Sequence, residues 1–107
     1  MSETINPGNS DDCIVKIEAV LCKYRNEHAG AQTKVYRQNP ASVRIRIIDP
    51  GFANADRVQR DDAVWQYLDK LPAEVQSDIS MLVLLTPEET ETSLANLEFD
   101  DPVRSRL

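Results

Sequence analysis

A chain of 107 residues, 41% hydrophobic and 28% charged, with 3 glycines and 6 prolines, has the make-up of one folded domain; collagen-like, mucin-like and fully disordered classes are excluded. Its 12 lysines and arginines against 18 aspartates and glutamates leave a net charge of −6, which argues against unassisted binding to nucleic acid or to an anionic membrane. No apolar run approaches the ~20 residues of a membrane span, and Met1-Ser2-Glu3-Thr4 does not open a signal peptide.

Residues 1–12 are polar and aperiodic, and read as a disordered lead-in that ends in a helix N-cap at Asp11 or Asp12. From Cys13 the pattern is helical: Ile14, Ile17, Val20, Leu21 and Tyr24 share one face, Lys16 and Lys23 the other, and Gly30 is a natural C-cap. Two alternating runs follow, Thr33–Arg37 and Ser42–Ile47, joined by Gln38-Asn39-Pro40-Ala41, which has turn chemistry. Val43, Ile45 and Ile47 lie on one face of this hairpin and Arg44 and Arg46 on the other, a solvated one. Asp49-Pro50-Gly51 breaks the second strand.

Asp56, with Gln59 three residues on, opens the second helix. Its apolar stripe is Val58, Val64, Trp65, Leu68 and Leu71, with Asp61 inside it, and Pro72 closes it. Arg57, four residues before Asp61, is its natural ion-pair partner at the edge of the core. The nearly unbroken apolar run Ile79–Leu85 has the signature of a central strand buried on both faces. Thr86-Pro87-Glu88-Glu89 is a strong helix start, and the third helix is expected to end near Leu97, with a frayed tail over 98–107. The order α-β-β-α-β-α implies a two-layer α+β fold over residues 13–97. Its sheet is three-stranded and mixed, the third strand parallel to the second, with helices on one face.

Cys13 and Cys22 sit nine residues apart on one helix, pointing to opposite sides and roughly 13 Å apart, too far for a disulfide. A reducing, cytoplasmic compartment follows. There is no Cys-x-x-Cys and no Cys/His cluster, so no metal site or cofactor is expected. His28, the sole histidine, is expected to be solvated at a helix end. The pairs Asp61-Asp62 and Glu88-Glu89 do not converge on one substrate atom, because adjacent helical residues point ~100° apart. No catalytic residue is assigned.

Charge is unevenly placed. Residues 13–60 hold nine basic and four acidic side chains, residues 61–103 one and eleven. Lys34, Arg37, Arg44 and Arg46 all lie on the hairpin. They are the first candidate surface, either for an acidic protein or for nucleic acid. As exposed residues, Arg44 and Arg46 could both be removed for less than about 1 kcal/mol.

From Phe52 to Leu68 the sequence resembles the BolA family. Phe52, Arg60, Val64 and Leu68 fall on that family's spacing without a gap, with Trp65 in place of its Tyr, and Thr86-Pro87-Glu88-Glu89 is similar to its last helix start. The resemblance spans Ile14 to Thr92. It implies the same element order and a protein partner of the monothiol-glutaredoxin kind, in some pairs with a shared [2Fe–2S] cluster. The family's ligand positions are altered, however. Its His after Arg60 is Asp61, its His at the third strand falls near Ser77-Asp78, and Gln38-Asn39-Pro40-Ala41 offers neither His nor Cys. Cluster iron needs thiolate or imidazole. The order is also similar to that of the second type of KH domain, but the G-x-x-G phosphate clamp is missing. The expectation is a small, non-enzymatic cytoplasmic binding or regulatory protein without a cluster ligand of its own. It would bind a protein partner through Arg44, Arg46, Lys34 and Arg37, or through the Phe52–Arg60 segment. Nucleic-acid binding by the hairpin is the alternative.

Overall fold

The side chain of Asp11 accepts a hydrogen bond from the Ile14 N–H (3.2 Å) and thereby caps α1, Asp12–Glu27. The computed structural model describes residues 11–100, so only Asp11 and Asp12 of the expected lead-in fall within it. Gly30 then adopts φ 88°, a left-handed conformation open to glycine without strain, and turns the chain into the sheet. Strand β1 (Gln32–Asn39) pairs antiparallel with β2 (Ser42–Ile48), and β2 pairs parallel with β3 (Ile79–Leu85).

Between them lie a 3₁₀ turn at Pro50–Phe52, α2 at Arg57–Leu68 and α3 at Ala73–Asp78. The capping box of α2 is complete: Asp56 accepts from the Gln59 N–H (2.8 Å) and Gln59 accepts from the Asp56 N–H (2.9 Å). α2 ends at Leu68, with Asp69 as its C-cap, four residues before the Pro72 expected to close it, and Pro72 instead opens α3.

The core lies between α1, α2, α3 and one face of the sheet. Ile17, Leu21, Tyr24, Val43, Ile45, Ile47, Val64, Leu68 and Val75 are all buried there. Trp65, Leu82 and Leu84 pack against this cluster while partly exposed. Val58 does not belong to the stripe and is 67% exposed. Six residues before Val64, it points roughly 120° away around the helix.

The fold is α+β with a three-stranded mixed sheet in the order β1-β2-β3, so β2 is the central strand and β3 an edge. The apolar run of β3 reflects cover over its two faces, not neighbours on both sides. The third expected helix is split in two. Thr86 and Glu89 form a reciprocal cap around a 3₁₀ turn at Glu88–Glu91, and α4 (Leu94–Asp100) restarts after Ser93, whose Oγ accepts from the Asn96 N–H (3.1 Å). α4 packs on the face of the sheet opposite α1 and α2. Glu98 to Asp100, placed by the sequence in a frayed tail, are helical, and Phe99 is 1% exposed. Among the described residues no helix is long and apolar enough to cross a membrane.

Candidate functional site

The hairpin arginines are tied to other parts of the chain, and Arg44 is buried. Arg44 is only 9% exposed: its Nε donates to Gln38 Oε1 (3.0 Å) and its Nη1 to the Glu98 carbonyl (3.2 Å). Arg46 donates to Asn96 Oδ1 (2.9 Å) and lies 4.9 Å from the centre of the Phe99 ring. Arg37 pairs with Val43 across the ladder, so it emerges on the opposite face, where it grips Asp11 (2.5 Å) and Asp78 (3.5 Å). Lys34 is exposed on β1. The solvated basic face expected from the alternation is therefore covered by α4. Arg44→Ala should cost about 2 kcal/mol of stability in urea unfolding, because it removes a buried guanidinium together with its two partly buried, charge-assisted hydrogen bonds. A loss within the range of an exposed charge would contradict that placement.

The two ends of the Phe52–Arg60 segment are tied into the fold, while residues 53–59 between them are exposed apart from the half-buried Ala55. Phe52 is buried, and the Arg60 guanidinium lies 5.5 Å from its ring centre. Arg60 donates to the carbonyls of Ala55 (3.0 Å), Phe52 (2.9 Å) and Leu84 (3.0 Å). It also clamps both carboxylate oxygens of Glu89, at 2.7 and 3.1 Å. Those hydrogen bonds, with the Thr86 N–H, hold the Glu89 carboxyl down at about 2.

This clamp and a second buried bond shape an open cleft. The Tyr24 hydroxyl donates to Asp49 (2.7 Å), whose other oxygen accepts from the Gly51 N–H (2.8 Å). Burial, then this bond, raise the Tyr24 pKa. The 3₁₀ turn and the start of α2 are thereby fixed beside β3. A cleft of about 400 Å³ results, lined by Ala55, Asp56, Arg57, Arg60 and Asp61 on one side, by Leu82 to Leu85 along its floor, and by Ser93 and Ala95 on the other. Arg57 and Asp61 both line it and do not form the expected ion pair with each other.

Of the residues singled out from sequence, Asp56, Arg57, Arg60, Asp61 and the Leu82–Leu85 part of the apolar run reach this cleft; of the candidate partner-binding residues only Arg60 does. The run Ile79–Leu85, uncharged and free of proline, reads in the sequence as a central strand; its place at the end of the sheet order is what puts its edge along the cleft.

His28 differs from its expected solvated state: it stacks on Tyr24 with ring centres 4.0 Å apart, and its Nδ1 lies 3.0 Å from the Tyr24 carbonyl. Cys13 and Cys22 are free thiols on α1. Among the described residues no three His, Cys, Asp or Glu side chains gather as a metal site. No protein-family model matches the chain, and comparison with curated proteins and with solved structures finds no match either.

Proposed function

We propose that this chain is a small, non-enzymatic cytoplasmic binding protein of BolA-like architecture that acts through a protein partner, with no cluster ligand of its own. The observation that carries this reading is the cleft beside β3. It combines an apolar floor, a few charged groups at its rim and walls braced by Arg60 and Tyr24, which is the make-up of a preformed recognition site. The element order and the parallel β2–β3 pairing support the BolA-like part of the reading. A monothiol glutaredoxin is the partner class which that resemblance implies.

The test is a titration of the isotope-labelled chain with a monothiol glutaredoxin, and separately with labelled RNA and DNA at two salt concentrations. Resonances of residues 55–61 and 82–85 are expected to shift with the protein, and Ala95→Trp, which fills the cleft from its rim, should abolish the response. Nucleic-acid binding that weakens steeply with salt and survives Ala95→Trp would put the hairpin reading in its place.

A further inference from the structure

We propose that the outer edge of β3 is a strand-addition site for an extended segment of another protein carrying basic side chains. This deepens the protein-binding reading above and rests on it.

The direction of the backbone groups comes first. In a parallel ladder, alternate residues turn both their N–H and their C=O toward the neighbouring strand. The Asp49 N–H donates to the Leu85 carbonyl (2.9 Å), so Leu85 and Val83 face β2 while Leu84 and Leu82 face outward. Arg60 gives independent evidence, since it reaches the Leu84 carbonyl from outside the sheet. That bond leaves the Leu82 N–H, the Leu82 C=O and the Leu84 N–H turned into the cleft, with no partner among the described residues.

Four consecutive residues of β3 line the cleft. Successive side chains on a strand point to opposite faces, so a cavity lined by all four meets the strand on its edge. The floor is about 13 Å long at ~3.3 Å per residue. Ala55, Ser93 and Ala95 are small and leave room for a second backbone between α2 and α4. From Ile79 to Leu85 the strand carries no proline, no lysine and no charge, and its register irregularity falls at Ser80, ahead of the residues that line the cleft.

Charge selects the occupant. Arg60 is committed to Glu89, so the remaining rim charges are Asp56 and Asp61 against Arg57. Beyond Asp61, residues 62–103 hold ten acidic side chains and one basic. A second copy of this chain would bring the same acidic excess edge to edge, and a phosphate backbone would meet it as well. A segment with lysine or arginine at alternate positions offers backbone groups to Leu82 and Leu84 and opposite charge to the rim.

The probe is the hexapeptide Lys-Val-Lys-Val-Lys-Val, fluorescently labelled, against the full chain. Its controls are the Glu-Val counterpart and two N-methylated forms, methylated on the lysine or on the valine amides. The parent peptide is expected to bind and to slow hydrogen exchange at the Leu82 and Leu84 amides. One methylated form, the one whose blocked amides face β3, should lose about tenfold in affinity while the other does not, and the acidic peptide should bind about tenfold more weakly. Binding indifferent to both methylations, equal binding of the acidic peptide, or protection of Leu82 and Leu84 that rises with protein concentration alone would each overturn the proposal. If the peptide fails to bind while the Ala95→Trp-sensitive response to a protein partner persists, strand addition falls and the cleft reading stands.

Discussion

Arg60→Ala should lower the free energy of unfolding by about 3 kcal/mol, the low end of the range for breaking a buried charge pair. Arg60 is the shared donor for three backbone carbonyls and a carboxylate that belong to four separate pieces of chain: the 3₁₀ turn, the lead into α2, β3 and the turn after β3. Its side chain is 13% exposed, so water cannot fully replace it at the carbonyls; Glu89, at 41%, can rehydrate, which keeps the loss at the lower end. Arg60→Lys should recover only part of it, because one ammonium cannot span a planar fork of acceptors. Urea unfolding at neutral pH measures both, with an unchanged m-value as the check that the unfolded state is the same.

The same pair predicts an acid dependence with a definite sign. The Glu89 carboxyl titrates at about 2 in the folded chain, below its ordinary 4.5, chiefly because Arg60 hydrogen-bonds the charged form. Its contribution to stability is therefore complete above pH ~4.5 and is lost as pH falls through that value toward 2. Arg60→Ala and Glu89→Gln should each flatten that limb of the stability curve. An unchanged limb in both variants would show that other carboxylates set it.

Phe99→Ala is expected to cost about 3 kcal/mol, within the range for emptying a buried aromatic site. The Phe99 ring meets Tyr36 edge-on at 5.0 Å, its backbone carbonyl accepts from the Tyr36 hydroxyl (2.6 Å), and Arg46 lies over its face. At seven residues α4 is too short to persist as a helix without this docking. Its release should uncover Arg44 and Arg46, so the variant should exchange the amides of residues 94–100 freely and be retained longer than the parent on an anionic resin. A variant with parental exchange rates in that helix would mean that Phe99 is not what holds it.

The features legible in the sequence are those whose cause is local. The Asp56–Gln59 capping box, the Thr86–Glu89 cap, the alternation of Val43, Ile45 and Ile47 and the apolar run Ile79–Leu85 each depend on residues a few positions apart. From them the element order and the parallel third strand follow, because a helix between two strands demands a crossover. The composition likewise set the inventory of side chains, with one histidine and two cysteines on which any imidazole or thiolate chemistry would have to draw.

Only the tertiary structure decided what each surface meets. The pattern Val43-Arg44-Ile45-Arg46-Ile47 is the same whether its polar face looks into water or lies under a helix some fifty residues away, and here α4 covers it. Phe99 sits in a charged stretch with no periodicity to mark it, and Arg60 finds its acceptors mostly on the backbone, which every sequence offers alike. Hydropathy reports how far the faces of a strand are covered and is blind to how many strands flank it, so Ile79–Leu85 reads as central while among the described residues only β2 pairs with it. The cleft lies on that edge because sheet order, a long-range property, places no strand beyond β3 among the described residues.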